Sequence, residues 1–446
     1  MNINLFLLFF LIGSAIDFTI NSILEFIDYR HRRLHGKEIP EEVAGSLSNE
    51  DIEKTISYEN TKFFTWIPRH IISFALSLAM VLSGFYGYVF ERIYSFIQEP
   101  LPVLILYSVI LSIPSSIISL PFELYNEFVI EKKFGFSTMT FTQWILDQIK
   151  GILVSAVIGV PLLAAAIQII TKAQDWWWLI LGGVMVLFSL GISFIYPTII
   201  APLFNKFTPV DNEEIKSRIE NLFKKTGFKS SGIFIMDASK RSRHSNAYFT
   251  GFGKNKRIVL YDTLVNQLTA EEIEAVLGHE LGHCKKHHIT KRMCISIPMT
   301  FAILFIASKF IHMNSLYQAF GFTIAKIPVF VQLIGISLLL EVFGGFKIIT
   351  NLISNWSSRR DEFEADKFSR ETCGTPEPLI SSLIKLNKEN SSQINVAKIY
   401  SMFNYNHPPL LERIRALRLS GKTYFSPHIK SPPIRETSDL MVCFLG

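Results

Sequence analysis

Charged side chains are scarce in this chain of 446 residues. Only 18% of its residues are Asp, Glu, Lys or Arg, whereas soluble domains average about 25%. Hydrophobic residues make up 49% of the chain, with 38 Phe among them. This balance indicates contact with lipid and argues against two or three ordinary soluble domains, which the length alone would suggest.

Cysteines and basic runs are also few. The four cysteines show no paired spacing: Cys284, Cys294, Cys373 and Cys443. Their arrangement favours a reduced, cytosol-facing environment and excludes a disulfide framework or a cysteine zinc finger. The net charge is only +6, with no long basic run, which argues against a nucleic-acid partner.

Long apolar runs, in contrast, are frequent. Seven segments are long and apolar enough to span a bilayer, which takes about 20 residues for a helix. They lie near 4–24, 70–90, 101–121, 152–171, 177–200, 295–313 and 328–350. Pro114 and Pro161 interrupt the third and fourth segments, and such prolines occur in helices that line a cavity. The sequence therefore predicts a multi-pass membrane protein.

The basic run "YRHRRLHGK" directly after the first apolar segment predicts the orientation. It favours a retained anchor with a cytosolic flank, and a cleaved signal peptide stays as the alternative. The N-terminus then lies in the lumen, and the polar block 201–294 lies in the cytosol. Two spans separate this block from the tail that begins near 351. An even number of spans places both on the same side, where their side chains can share one site.

The polar block 201–294 has the pattern of a small soluble α+β unit. "NEEIKSRIENLFKKTGF" has helical periodicity and ends at Gly227, while "GIFIMDA" and "KRIVLYDTL" are rich in strand-forming residues. We predict a hairpin turn in "GFGKNKR" between two strands. Thr269, followed by Glu272 three residues later, forms a predicted capping box that begins the next helix.

That helix carries "VLGHELGHCKKHH", residues 276–288. Its buried stripe is predicted at Ile273, Leu277 and Leu281. Residues four apart share one helical face, so His279 and His283 can bind one metal ion together.

This is the logic of the H-E-x-x-H motif, in which two histidines bind Zn²⁺ and a third protein ligand comes from elsewhere. Glu280 would take a proton from the zinc-bound water as that water attacks a peptide carbonyl. A chance arrangement on a polar helix is the alternative for this motif alone.

A third ligand is expected on the same side of the membrane. "SRRDEFEADKFSRE" places Glu362 and Asp366 four residues apart on a predicted helix. One carboxylate can bind the metal, and the other can support a histidine or assist proton transfer. Glu364 points to another side of this helix, so we exclude it as a ligand. Taken alone, an acidic helix is more often a solvated face.

Two further segments suggest substrate handling. In "RHSNAYFTG", Asn246 on an exposed edge strand can hold a peptide backbone by strand addition, or it simply ends a strand. In "YNHPPLLERIR", His407 can stabilise an oxyanion, although a histidine before two prolines is more often a cap. Arg413 can pair with Asp366.

Together these segments resemble one family. "FVIEKKFGFSTMT", "IAPLFNKFTP", "SKRSRHSNAYFTGFGKNKRIVLYDTL", "VLGHELGH", "EFEAD" and "NHPPLLERIRAL" are similar to the eukaryotic CAAX prenyl proteases of the zinc-metalloprotease type, from about residue 10 to 418. The resemblance implies an α-helical integral membrane protein. Seven transmembrane helices would form a large intramembrane chamber, capped by a small α+β zincin-like metalloprotease domain.

The resemblance also implies an activity and a location. Such enzymes remove the C-terminal aaX tripeptide after a farnesylated or geranylgeranylated cysteine, and some cut again upstream. They lie in the endoplasmic reticulum membrane, some also in the inner nuclear membrane, with the active site facing the cytosol or nucleoplasm. The expected partners are prenylated CaaX proteins or peptides and membrane lipid.

Site residues follow from the resemblance by motif. Those expected to bind one zinc ion are His279, His283 and Glu362, while Glu280 matches the catalytic glutamate. Asp366 matches an aspartate sometimes assigned as proton donor. Groups that line or adjoin the cleft are Asn246, His407 and His288. The chain departs from the family at Cys284, where Trp is common, and at His287, where Gly is common.

The resulting domain division is as follows. Residues 1–200 hold five membrane helices with their loops, and 201–294 form the zinc metalloprotease domain. Membrane helices six and seven fall in 295–350, the third zinc ligand falls in 351–420, and 421–446 is expected to be disordered.

Two other functions stay open: a membrane metalloprotease of protein quality control, and a transporter whose histidines bind metal in transit. The transporter predicts ionisable residues within the spans, of which we find few beyond Asp17, Glu341 and Lys347.

Overall fold

The computed structural model describes residues 3–230, 232–250, 257–323 and 327–419. The predicted hairpin turn at 251–257 lies outside these residues except for Arg257, and the predicted disordered tail 421–446 lies outside them entirely. The first eight helices are Leu5–His35 (α1), Asn49–Leu82 (α2), Phe85–Tyr94 (α3), Pro100–Tyr125 (α4), Glu131–Lys133 (α5), Phe141–Lys172 (α6), Trp177–Ile195 (α7) and Ala201–Phe204 (α8).

After α8, the described residues form a small sheet and ten further α-helices. The strands are Phe207–Pro209 (β1), Ile233–Met236 (β2), Ala247–Thr250 (β3) and Arg257–Tyr261 (β4). The helices are Glu213–Thr226 (α9), Asp262–Gln267 (α10), Ala270–Lys285 (α11), His288–Phe310 (α12), Asn314–Gln318 (α13), Gln332–Gly344 (α14), Lys347–Cys373 (α15), Glu377–Glu389 (α16), Lys398–Asn404 (α17) and Leu410–Arg418 (α18).

Six helical segments in the described part of the chain are long and apolar enough to cross a membrane. They are Leu5–His35, Asn49–Leu82, Pro100–Lys133, Phe141–Lys172, Gln174–Phe204 and His288–Phe310. A seventh span is present if the bent pair Val329–Gly344 and Lys347–Cys373 counts as one, with an angle of 77° between its parts. The helical membrane architecture predicted from the apolar runs is therefore confirmed.

The second span differs from the prediction of one continuous segment at 70–90. α2 begins 21 residues earlier, at Asn49, and ends at Leu82. Gly84 then adopts a left-handed conformation with φ of 71°, which ends the helix and lets α3 begin in a new direction. Gly87 of α3 packs directly on the backbone of Gly321, where a Cβ would approach to 2.2 Å. Tertiary packing thus divides the predicted span.

The seventh span also differs, because the predicted segment 328–350 is not straight. α14 ends at Gly344, and the chain bends before α15 begins at Lys347. Gly345 at the bend contacts the backbone of Gly13 in α1 so closely that a Cβ there would lie 2.1 Å from it. Beyond the bend, α15 continues to Cys373 as one helix of 27 residues.

The sheet has the order β1-β2-β4-β3, with β2 and β4 parallel and the outer strands antiparallel. α9 and α11 pack together beside it, and α11 contacts β3. The predicted stripe of α11 is confirmed, since Ile273, Leu277 and Leu281 are fully buried. The predicted capping box is also present, with the Thr269 side chain accepting from the Glu272 amide and the Glu272 carboxylate accepting from the Thr269 amide.

Candidate metal centre and active site

Two glycines let α11 lie directly against α15. A Cβ on Gly282 would come within 2.8 Å of the Cα of Ala365, and one on Gly278 would lie 3.0 Å from Oγ of Ser369. Ser369 Oγ also donates a hydrogen bond of 2.6 Å to the carbonyl of Ala275. This close packing brings the motif of α11 opposite the acidic turn of α15.

His279, His283 and Glu362 meet where these helices cross, and their ligand atoms all lie within 4.8 Å of one another. The two Nε2 atoms are 3.2 Å apart. Nε2 of His279 lies 3.4 Å from Oε2 of Glu362, and Nε2 of His283 lies 3.3 Å from Oε1. The two imidazoles and the carboxylate therefore face one common point.

This triangle fits a zinc ion. Zinc bonds of about 2.0–2.1 Å in tetrahedral geometry place neighbouring ligand atoms about 3.3–3.4 Å apart, close to the three separations observed. Oε2 of Glu362 is buried and accepts no well-oriented hydrogen bond from any described residue. Burial alone would lower the pKa of His279, but Asp366 and Glu362 raise it to about 9. The donor set therefore attracts positive charge, which a divalent cation supplies.

Asp366 and Arg413 support His279 from behind. Nδ1 of His279 lies 2.7 Å from Oδ1 of Asp366, which fixes the tautomer with its lone pair on Nε2. Arg413 donates to both oxygens of Asp366, at 2.9 and 2.6 Å, so the predicted pair of Arg413 with Asp366 is confirmed. Asp366 is 1% exposed. Its contacts favour positioning of His279, and its role as proton donor stays a prediction.

His288 lies behind His283 rather than in an open cleft. It is 1% exposed, its Nδ1 is 2.9 Å from Nδ1 of His283, and its Nε2 is 3.3 Å from Oε2 of Glu364. Sequence reasoning excluded Glu364 as a ligand, and the structure places it outside the triangle. Its contact with His288 was not predicted, because no local spacing links residues 288 and 364.

Glu280 is half-buried beside the triangle without being part of it. Burial raises the pKa of its carboxyl group, while the neighbouring His279 and His283 act in the opposite direction. No residue in the described ranges is hydrogen-bonded to this carboxylate in the structure. A carboxylate so placed is available to exchange a proton with a small molecule next to the metal.

His407 and Asn246 occupy different parts of the site region. Nδ1 of His407 lies 2.8 Å from Oε2 of Glu362, and its side chain is 58% exposed, so it is accessible to a substrate. Asn246 is exposed and directly precedes β3, which is an edge strand as predicted. Its side-chain oxygen accepts from the amide of Ala247 at 2.8 Å.

A second feature, which the sequence did not predict in detail, is a partly open cavity of about 490 Å³ between the membrane helices. Seven serines line it, from α2, α4 and α14: Ser73, Ser77, Ser108, Ser112, Ser115, Ser119 and Ser337. Tyr107 and Glu341 also face it. The serines recur at helical spacing, so the sequence does indicate that they share helix faces. A search for apolar runs does not reveal this pattern.

Comparison with known proteins agrees with this geometry. Residues 28–206 match the family described as CAAX prenyl protease N-terminal, five membrane helices, and residues 209–420 match peptidase family M48. The fold and site thus define a multi-pass membrane metalloendopeptidase.

Individual relatives are similar over nearly their whole length. The chain is 33% identical to CAAX prenyl protease 1 of Saccharomyces cerevisiae, over 91% of this chain and 93% of that protein. It is 33% identical to the Homo sapiens CAAX prenyl protease 1 homolog, over 88% and 92%. The crystal structure of S. mikatae Ste24p superposes with a TM-score of 0.85 at 32% identity, covering 94% of this chain and all of that one. The chain belongs to the CAAX prenyl protease 1 family.

Proposed function

We propose that this protein is a zinc-dependent endopeptidase that removes the aaX tripeptide from farnesylated or geranylgeranylated CaaX proteins. A second cut further upstream is part of the proposal. We place the protein in the endoplasmic reticulum membrane and also in the inner nuclear membrane, with its active site facing the cytosol or nucleoplasm. The observation that carries the proposal is the triangle of His279, His283 and Glu362 with the carboxylate of Glu280 beside it.

The proposed mechanism assigns the metal to that triangle. His279, His283 and Glu362 would hold a zinc ion, which would lower the pKa of a bound water to about 7 and polarise the peptide carbonyl. Glu280 takes a proton from the attacking water and delivers it to the leaving amine. Arg413 and Asp366 hold His279 in the tautomer that presents Nε2 to the metal.

Substrate groups are assigned to the more exposed residues. His407, with its ring beside Glu362, donates to the oxygen that gains negative charge in the transition state. Asn246 at the head of edge strand β3 holds the substrate backbone by strand addition. His288 supports His283 in this proposal rather than binding substrate, since its side chain is buried.

A prenylated peptide presents a physical problem, because its lipid is insoluble while hydrolysis requires water. The proposed solution is an intramembrane chamber that holds the lipid next to a site at the membrane surface. Support comes from the cavity between α2, α4 and α14, whose lining combines apolar side chains with seven serine hydroxyls. Such a lining accommodates both a hydrocarbon chain and water.

The deciding experiment compares a prenylated CaaX peptide with the same peptide lacking the prenyl group. We expect release of the aaX tripeptide from the prenylated peptide only, loss of activity with phenanthroline and recovery with added zinc. Elemental analysis should find one zinc ion per chain. Equal cleavage of the unprenylated peptide would instead support a quality-control protease, and zinc binding without any peptide cleavage would favour a metal transporter.

A further inference from the structure

Outside the metal triangle, a hydrogen-bonded series of side chains lies behind His283. We propose that His288 is a positioning residue, which connects Glu364 to His283 through two hydrogen bonds and fixes the tautomer in which His283 binds the metal. This inference rests on the proposed metal site. It concerns how one ligand is held, which neither the family motifs nor the triangle itself specifies.

The direction of each hydrogen bond follows from the metal. A neutral imidazole that offers Nε2 to a metal carries its hydrogen on Nδ1. Nδ1 of His283 lies 2.9 Å from Nδ1 of His288, so His283 donates and His288 accepts. His288 must then carry its own hydrogen on Nε2. That atom faces carboxylates, with Oε2 of Glu364 at 3.3 Å and Oδ1 of Asp361 at 3.7 Å.

The backbone is shaped to make this contact. Five residues along one helix would place His288 roughly 140° around the axis from His283, at about 100° per residue. Instead α11 ends at Lys285, and His287 adopts a left-handed conformation with φ of 56°. α12 then begins at His288 in a new direction. A left-handed conformation, which is strained in a non-glycine residue, is therefore retained where it returns the next imidazole to His283.

The carboxylates at the far end are held by basic groups. Nζ of Lys291 and Nε of Arg360 lie 3.8 and 3.4 Å from Glu364, while Arg292 donates to Asp361 at 3.0 Å. The arrangement parallels the support of His279, where Asp366 contacts the ring directly and Arg413 holds Asp366. His283 obtains the same support with one additional imidazole between ring and carboxylate.

The test compares two substitutions at His288 in the full-length protein. His288→Asn keeps an acceptor oxygen near the position of Nδ1, whereas His288→Leu keeps bulk without an acceptor. Zinc affinity is measured by competition with a chelator, and we expect the leucine variant to bind zinc about 10–100-fold more weakly. The asparagine variant should stay close to the parent protein. Lys286→Gln, at an exposed position on the same turn, should leave zinc affinity unchanged.

Thermal unfolding of the zinc-stripped variants separates positioning from folding. We expect His288→Leu and His288→Asn to unfold together, so that they differ in zinc affinity alone. Parent-like zinc affinity in His288→Leu would overturn the proposal, as would equal weakening in both variants. If the parent protein itself binds no zinc, the proposed metal site fails, a different outcome from loss of the His288 contribution.

Discussion

Gly282 faces Ala365 across the contact between α11 and α15, with no space for a methyl group between them. The Cα of Ala365 would lie 2.8 Å from an added Cβ, and its carbonyl oxygen 3.1 Å. Gly282 directly precedes His283, and Ala365 directly precedes Asp366. The separation of these two backbones therefore sets how closely the proposed metal ligands on the two helices approach each other.

Gly282→Ala should widen the site. The methyl group meets backbone, which cannot rotate away, so we expect a loss of about 1–3 kcal/mol in stability from overpacking and a weaker zinc complex. Gly191→Ala is the matched control, since an added Cβ in α7 meets nothing within 4 Å and alanine favours the helix. Apparent Tm and zinc affinity are measured for both. Unchanged zinc affinity in Gly282→Ala would contradict this account of the helix contact.

Glu280→Gln should separate metal binding from catalysis. The side chain is not part of the ligand triangle, so one zinc ion per chain is expected to remain. Loss of the proton acceptor should lower kcat/KM on a prenylated peptide by about 10²–10⁴-fold. Glu271→Gln on the exposed side of α11 serves as control. A decrease of less than about tenfold would remove Glu280 from the proposed mechanism.

Glu272 should make stability depend on pH. Its carboxylate is 5% exposed and accepts from Ser381 at 2.6 Å and from Lys385 at 2.8 Å. Burial alone would raise the pKa of Glu272, but Lys385, Ser381 and the Thr269 amide together lower it. Because the folded-state pKa lies below the unfolded one, the stabilisation is complete above pH 4.5 and decreases as pH falls through the folded value.

Glu272→Gln should therefore lower the apparent Tm at pH 7, with a cost of about 1–3 kcal/mol for the disrupted hydrogen bonds. The difference from the parent protein should decrease toward pH 4. Glu389→Gln, at an exposed position of α16, should have little effect at either pH. A difference that grows on acidification would reverse the sign that we assign to Glu272.

The predicted cytosolic tail contains two N-glycosylation sequons, Asn355-Trp356-Ser357 and Asn390-Ser391-Ser392. The orientation requires a test that does not use them. Asn390 lies 2.8 Å from Nδ1 of His244, and Asn355 donates to the carbonyl of Phe403. Both side chains are engaged in the fold, so lack of glycosylation would not report the side of the membrane. Glycosylation at either would still contradict the predicted cytosolic location.

Single cysteines in a cysteine-free background give the answer directly. In sealed microsomes, an impermeant maleimide should label Glu220→Cys in α9, which is exposed and predicted to be cytosolic. Asp175→Cys, exposed between α6 and α7, should react only after detergent is added. The opposite pattern would invert the predicted topology.

The site could be predicted from sequence to the extent that it depends on local spacing. The pairs 279/283 and 362/366 each lie four residues apart, so each helix presents its two site residues on one face without help from distant contacts. The pair of Asp366 with Arg413 was predicted from charge alone. All of these follow from chemistry carried within short segments.

What could not be predicted depends on contacts between distant backbones. The division of the second span arises where Gly87 meets Gly321, and the bend after α14 arises where Gly345 meets Gly13. The role of His288 depends on the turn at His287. A histidine at that position does not predict a left-handed backbone conformation. Apolar runs predict the number of membrane spans, whereas close glycine contacts decide where the second and seventh spans are divided or bent.

The 77° bend before α15 has a consequence for attempts to isolate the peptidase. Glu362 lies 15 residues beyond Lys347, roughly 22 Å along a continuous helix. Its position therefore depends on the bend between α14 and α15, which packs against α1. The two imidazoles come before α12 and α14 in the chain, and the carboxylate comes after them. A water-soluble fragment cut out of the chain would thus lack the membrane helices that align the two imidazoles with the carboxylate.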